Sequence, residues 1–236
     1  MTSLWPTVYS SHMSETDNAV SSWNSSFGKR LLDIVGSSIV LALVSPLMLL
    51  VAAAVKLGSP GPVLFRQERV GQGGAEFEML KFRTMYHRPS DSGPGLTRTG
   101  DDRVMPVGKF LRKWKIDELP QFLNVLRGQM SLIGPRPDLP DFYAKLNPER
   151  RQILCLKPGI TGWATLHFRD EESVLAAVGH DEMLDFYVSD LLPRKLDLDL
   201  SYARGATLKS DIGILLQTFA AILPTGAKPP KGNHPA

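Results

Sequence analysis

One cysteine, Cys155, in 236 residues excludes an intramolecular disulfide framework and a cysteine-cluster zinc site. A lone thiol fits a reducing compartment. The five histidines, His12, His87, His167, His180 and His234, form no HExxH motif and no close pair, so they offer no metal site. Gly-x-Ser-x-Gly and Gly-x-Gly-x-x-Gly are both absent, which argues against a hydrolase elbow and a dinucleotide fold. The glycine–lysine spacing of a Walker loop is missing too. The chain has no internal repeat, no long block of one charge and no linker marking a second domain. A net charge of +3 and a pI of about 9.0 are too mildly basic to indicate nucleic acid. They suit an anionic membrane surface or a phosphorylated substrate. Hydrophobic residues at 43% and charged residues at 22% are globular values, so the chain as a whole is not disordered.

What the chain does have is one concentrated apolar run. Ile34 to Val55 passes about 22 residues without a charge, a helix of roughly 33 Å that matches a bilayer core. Ser45-Pro46 sits at its middle, where proline removes a backbone donor and crowds the preceding turn. Each half then reaches only about half-way across. Lys29 and Arg30 precede the run, and Lys56, Arg66 and Arg69 follow it, so charge sets no orientation. A helix-break-helix that enters and leaves on one side satisfies all three observations. The carbonyl freed at Pro46 would be met by Ser45 or by packed neighbours. A spanning helix, a signal peptide ending near Ala52-Ala53-Ala54 and a buried core helix are the competing readings.

The remaining chain divides simply. Residues 1–27 read as a disordered polar tail, 28–57 as the membrane helix, 58–224 as one domain and 225–236 as a flexible tail. Val63 to Arg69 and Glu76 to Phe82 alternate around a Gly71–Gly74 turn, which predicts a β-hairpin. Residues 88–101 read as a mobile loop. Helical signals follow from Val107, with Asp117 placed as an N-cap and Gly128 as a stop. Further helices are predicted over 139–146, 171–189 and 208–223. The last is amphipathic through Leu208, Ile212, Leu215, Leu216, Phe219 and Ile222, and either packs on the domain or lies on a membrane. The fold class is α+β, mostly helical.

Basic residues recur around few carboxylates: Lys81-Phe82-Arg83-Thr84, Arg112-Lys113-Trp114-Lys115, and Arg136 within Gly134-Pro135-Arg136-Pro137. Arginine offers phosphate a planar fork and lysine a point charge. Each alone also suits solvated surface. Pro135 and Pro137 stiffen the loop, so Arg136 is presented with little entropy to lose. Asp117-Glu118 reads either as a cap with a first-turn acid or as a nucleophile or metal ligand with an acid–base neighbour. An ionised carboxylate at a helix start can attack phosphorus or bind a hard cation such as Mg²⁺.

In order along the chain these motifs are specific. Lys29-Arg30-Leu31-Leu32-Asp33, Ser45-Pro46, Gly61-Pro62-Val63-Leu64-Phe65, Gln67-Glu68-Arg69-Val70-Gly71 and Leu80-Lys81-Phe82-Arg83-Thr84-Met85 come first. Gly100-Asp101-Asp102-Arg103, Gly108-Lys109-Phe110-Leu111-Arg112, Asp117-Glu118-Leu119-Pro120-Gln121-Phe122 and Asn124-Val125-Leu126 follow. Met130-Ser131-Leu132-Ile133-Gly134-Pro135-Arg136-Pro137 and Pro158-Gly159-Ile160-Thr161-Gly162 close the set. From Gly28 to Leu223 the chain resembles the bacterial sugar transferases, monotopic polyprenyl-phosphate phosphoglycosyl transferases.

The resemblance implies transfer of a sugar 1-phosphate from a UDP-sugar to polyprenyl phosphate, assisted by Mg²⁺, through a covalent phosphosugar. It makes Asp117 the nucleophile and a metal ligand, and Glu118 its partner. It assigns Lys81 and Arg112 to phosphate, and Arg136 with Pro135 and Pro137 to the nucleotide portion; Arg83, from the first basic cluster, is a further substrate-binding candidate. It makes Ser45-Pro46 the break of a re-entrant helix in the bacterial inner membrane, with amphipathic interfacial helices and a catalytic domain facing the cytoplasm. A homo-oligomer remains open. Two departures stand out. Many members carry four spanning helices before this domain, so the chain resembles the minimal form. After Gly162 the family often continues Trp-Ala-Gln-Val-Asn-Gly-Arg, where this chain has Trp163-Ala164-Thr165-Leu166-His167-Phe168-Arg169, which bears on the sugar end of the site.

Overall fold

A computed structural model describes residues 20–86, 101–179 and 182–222. Residues 1–19, the expected C-terminal tail and all but the last residue of the expected 88–101 loop lie outside the described residues. The polar tail predicted to reach residue 27 ends sooner. Ser21 Oγ donates to the Ala206 carbonyl at 2.7 Å, and Trp23 Nε1 donates to Asp211 Oδ2 at 2.8 Å.

Helix α1, Phe27–Gly58, opens on Ser26, whose hydroxyl accepts from the Lys29 N–H at 3.1 Å. It is one helix through Pro46, where two helices parted by a break were expected. Proline at position 46 deprives the Ala42 carbonyl of its usual partner four residues on. The Ser45 hydroxyl donates to that carbonyl at 3.1 Å, so the orphaned acceptor is satisfied. Among the described residues this is the one helix long and apolar enough to cross a membrane. Leu43, Leu49 and Leu50 are among its many exposed apolar residues, and none is buried between Ser37 and Val51.

Both ends of α1 are fastened to the domain. At the start, Lys29 Nζ donates to Asp211 Oδ2 at 2.6 Å and to the Ile133 carbonyl at 2.9 Å. Asp33 Oδ1 accepts from Ser131 Oγ and the Leu132 N–H, each at 2.9 Å. Arg30 donates to the Val125 and Leu126 carbonyls at 2.7 and 2.9 Å. At the far end, Val51 and Val55 pack with Phe82, Met105 and Leu111.

The predicted hairpin is present. β1, Leu64–Val70, pairs antiparallel with β2, Glu76–Phe82, with Leu64 opposite Phe82 and Val70 opposite Glu76. After β2, Met85 bridges Val104 and joins the chain on either side of residues 87–100. Helix α2 is Pro106–Lys113 and α3 is Gln121–Leu126. Gly128 ends α3 at φ 82°, as predicted, because glycine alone enters that region without crowding. β3, Ser131–Ile133, pairs parallel with β4, Gly159–Thr161. Their loops touch so closely that a Cβ on Gly159 would lie 2.1 Å from the Gly134 nitrogen.

Helices α4, Pro140–Ala144, and α5, Trp163–His167, flank β4. The helix expected over 171–189 is two pieces, α6 at Glu171–Ala176 and α7 at Met183–Phe186. From α7 the chain enters a π-helical turn, Tyr187–Leu191, and continues as α8, Leu192–Arg204. Sequence reasoning stops before Pro193. In the structure proline occupies the first turn of α8, where its missing N–H costs least. The largest core cluster joins α4, the π turn and α8 through Phe142, Tyr187, Leu192 and Leu196. α9, Leu208–Ile222, buries Asp211 and Ile214 while Leu208, Ile212, Leu216 and Phe219 stay exposed. It packs on the domain with one stripe and leaves a second apolar stripe uncovered.

Asp199 on α8 is buried and accepts from the Ala164 N–H at 2.9 Å. Burial pushes its carboxyl up to about 7, against that hydrogen bond and the charge of Lys195. The folded chain therefore holds this proton more tightly than the unfolded chain does. Its stabilising share is complete below pH about 4 and is lost as pH rises through about 7. Asp199→Asn keeps an acceptor without the charge. It is expected to match the parent near pH 4 and exceed it by up to about 4 kcal/mol at pH 8, read by denaturant melts across pH.

Candidate active site at the Asp117–Glu118 turn

The turn that carries the two carboxylates is built by a chain reversal. After α2, Lys115 adopts φ 54°, and a 3-10 turn, Ile116–Glu118, leads into α3. Asp117 is therefore not the predicted N-cap. Pro120 holds that position, with no side-chain cap bond. Asn124 fixes the turn against the hairpin: its Oδ1 accepts from the Leu80 N–H at 3.0 Å, and its Nδ2 donates to the Glu78 carbonyl at 2.7 Å. That latch sets Lys81 on β2 beside Glu118. The loop after β3 brings Arg136 from the other side, braced where the Pro135 carbonyl accepts from the Gly159 N–H at 2.8 Å.

The two acids are held differently. Arg136 forks Glu118, Nη2 to Oε1 at 2.5 Å and Nη1 to Oε2 at 3.2 Å, and Lys81 Nζ stands 3.6 Å from Oε1. Burial works to raise the Glu118 carboxyl, but Arg136 and Lys81 prevail and hold it well below the usual carboxylate range. Glu118 in turn stabilises the Arg136 guanidinium. Burial pushes the Lys81 ammonium down to about 8, against the pull of Glu118. Asp117 is buried too, yet its Oδ1 has no hydrogen-bond partner. Burial and the charge of Glu118 raise its carboxyl, while Lys81, Arg112 and Lys115 oppose them. The result is one neutralised acid and one unengaged acid inside a set of cations.

Sequence reasoning and structure disagree on one phosphate candidate. Arg83 is turned away, donating to the carbonyls of Pro60, Val55 at 3.3 Å and Ser59 at 2.8 Å. It caps the end of α1 and leaves the site. Arg69 was missed, and Lys115 was read only as part of a basic run. Lys115 acts electrostatically on both acids; its place in the basic run was a signal, but only the left-handed reversal brings it round. Arg69 acts on Lys81, pairs with Asp138 at 3.1 Å and keeps a buried Nε without a partner. Its signal was its motif, not its charge.

The Asp117 environment also fits a divalent cation. Its orphaned oxygen is a hard donor, and Mg²⁺ commonly takes one or two carboxylates, with waters and substrate phosphates completing the shell. Among the described residues no group of three or more acids, histidines or cysteines gathers.

A family model described as bacterial sugar transferase matches residues 24–225. The chain belongs to the bacterial sugar transferase family. It is 42% identical over 200 residues to a UDP-glucose:undecaprenyl-phosphate glucose-1-phosphate transferase of Caulobacter vibrioides, covering 84% of this chain and 70% of that one. It is 40% identical over 200 residues to a UDP-N-acetylgalactosamine-undecaprenyl-phosphate N-acetylgalactosaminephosphotransferase of Aeromonas hydrophila, covering 84% of this chain and 44% of that one. It is 38% identical over 198 residues to a UDP-glucose:undecaprenyl-phosphate glucose-1-phosphate transferase of Escherichia coli, covering 80% of this chain and 39% of that one. The chain thus spans less than half of the latter two proteins.

In this sugar transferase the acidic turn is separate from the cavity of about 220 Å³ behind Gly134 and Pro135, whose walls include Lys29, Asp33, Trp163 and Asp199. Neither Asp117 nor Glu118 lines that cavity. Glu118 instead meets Arg136 of the same loop, and Lys81 on β2.

Proposed function

We propose that this sugar transferase moves a sugar 1-phosphate from a UDP-sugar to undecaprenyl phosphate, releasing UMP and starting glycoconjugate assembly on the lipid. The observation that carries this reading is the contrast between Glu118, fully engaged by Arg136 and Lys81, and Asp117, whose buried oxygen is unengaged. The names of the relatives supply the class of donor and acceptor.

Lys81, Arg112, Lys115 and Arg136 orient the diphosphate and offset its charge as it develops in the transition state. An Asp117 oxygen attacks the phosphorus that bears the sugar. The new bond is Asp117 Oδ–P; the bond to the uridine-side phosphate breaks, and UMP leaves with its electron pair. A phosphate oxygen of the lipid then attacks the same phosphorus, and Asp117 departs as carboxylate. Glu118 holds Arg136 and Lys81 in place through both steps. Mg²⁺, with Asp117 as its protein ligand, would supply Lewis-acid charge neutralisation of the diphosphate.

The membrane reading accompanies this. α1 enters the bilayer from the cytoplasmic side and returns to it, which both fastened ends and the uncovered middle of the helix support. The exposed stripe of α9 lies on the bilayer surface. The site then meets a soluble donor and a lipid acceptor in turn. Pro46→Leu restores the missing donor and is expected to favour a straight spanning helix. Single cysteines placed on the two flanks of α1 in a Cys155→Ser background would then label from opposite sides of the membrane; labelling from one side, as in the parent, would remove Pro46 as the cause of the topology.

The test of the reaction is intact-mass spectrometry of the lipid-embedded protein mixed with Mg²⁺ and each of several UDP-sugars, with UMP release followed in parallel. A phosphosugar-sized adduct that disappears on adding undecaprenyl phosphate supports the covalent route. UMP release that needs lipid but leaves no adduct keeps the reaction and argues against an accumulating intermediate. No adduct and no release with any donor overturns the reading.

A further inference from the structure

Resting on the reaction proposed above, we propose that Glu171 determines which sugar the enzyme accepts, its carboxylate receiving hydrogen bonds from the hydroxyl groups of the donor sugar. The relatives are named for glucose and for N-acetylgalactosamine, so membership of the family does not by itself set the sugar. A selective group must lie beside the residues that hold the diphosphate, because the sugar is joined to the phosphorus under attack. It must also keep a hydrogen-bonding atom in reserve.

Glu171 meets both requirements. It opens α6. Lys195 Nζ donates to Glu171 Oε2 at 2.8 Å and to the Tyr187 hydroxyl at 3.2 Å. The Tyr187 hydroxyl donates in turn to Asp138, the residue after Pro137. Glu171 is therefore tied by a short series of side chains to the loop that presents Arg136, and its charge acts on Arg136 together with that of Glu118. Its side chain is 24% exposed, whereas Lys195 is 8% exposed. Oε1 accepts no hydrogen bond from any described residue. One oxygen is thus fixed by a buried ammonium, and the other is held in a defined direction and available.

The neighbouring acid does not qualify. Asp138 is already used by Arg69 at 3.1 Å, by Tyr187 and by the Leu139 N–H at 3.0 Å. A carboxylate accepts from hydroxyls strongly, and a donor that leaves such a group unpaired is penalised by its desolvation.

The experiment compares the full chain in lipid with Glu171→Gln, using UDP-glucose, UDP-galactose and their two N-acetylated counterparts. In the variant Lys195 retains an oxygen to bond, while the other position turns from acceptor to donor. The expected result is an about 10- to 100-fold fall in kcat/KM for the preferred donor and a narrowed ranking of the four. Inhibition by UDP, which lacks only the sugar, should move by less than about twofold. An unchanged ranking overturns the proposal. So does a parallel loss of UDP inhibition, which would make Glu171 a support for Arg136. Glu171→Asp, which keeps the charge and shortens the reach, is the second variant and should reorder the ranking even where the glutamine form is unstable. Binding separates this proposal from the reaction. Thermal shift by each UDP-sugar against UDP needs no turnover, and the sugar-dependent excess should vanish in Glu171→Gln. Absence of that excess in the parent overturns the assignment of Glu171, whereas absence of UMP release overturns the reaction.

Discussion

Asp117→Asn is expected to lower UMP release by at least about a thousandfold, a barrier increase of about 4 kcal/mol, and to leave the protein folded. The amide is nearly the shape of the carboxylate but is a poor nucleophile toward phosphorus. The fold loses little because Asp117 Oδ1 has no partner to give up. Burial and the Glu118 charge raise the Asp117 carboxyl, so ionising it costs the folded state. Asparagine carries no such cost, and the variant should melt at the same temperature as the parent or higher. Steady-state UMP release and a melting curve on one preparation make the measurement. Turnover within about tenfold of the parent would remove Asp117 as nucleophile. Glu118→Gln should also lose activity, but with a lowered melting temperature, because it leaves Arg136 and Lys81 without their anion.

Asp211→Ala should have the largest effect on stability, a loss of about 3–5 kcal/mol. Asp211 is fully buried and is the acceptor for three separate elements. Lys29 Nζ reaches Oδ2 at 2.6 Å, Trp23 Nε1 reaches the same oxygen at 2.8 Å, and the Tyr202 hydroxyl reaches Oδ1 at 2.6 Å. Removing the carboxylate leaves the Lys29 charge buried with only the Ile133 carbonyl to receive it. For a chain of this size the melting temperature should fall by about 10 °C in detergent or nanodiscs. The double change Lys29→Met with Asp211→Leu should recover part of that fall, since a paired apolar replacement leaves no stranded charge. A fall of under about 2 °C for the single variant would mean that this junction does not hold the start of α1.

The site residues divide by how local their signals were. Lys81, Arg112, Arg136, Asp117 and Glu118 were legible as residue types in ordered motifs, and the structure gathers them around one turn. Arg83 was legible only as a cation, and its donors turn to the end of α1 because three carbonyls there need partners. Asp117 was misplaced as a cap because Ser/Asp-type cap signals assume a helix that starts at once. Here a left-handed Lys115 and a 3-10 turn intervene.

The same division holds for the whole chain. The sequence by itself determined the long apolar helix, the hairpin, the stop at Gly128, the Pro-stiffened Arg136 loop and the adjacency of the two acids. Those features rest on periodicity, on backbone angles set by proline and glycine, and on order along the chain. Only the tertiary structure decided that α1 continues through Pro46, that α8 follows Pro193, that Glu118 is engaged while Asp117 is not, and that Asp199 and Asp211 are buried. Burial and partnership are set by groups distant in sequence, such as Lys29 and Asp211, which lie 182 positions apart. No local pattern records which far segment will take water away from a charge or bring it a partner, and those two effects together raise or lower its pKa.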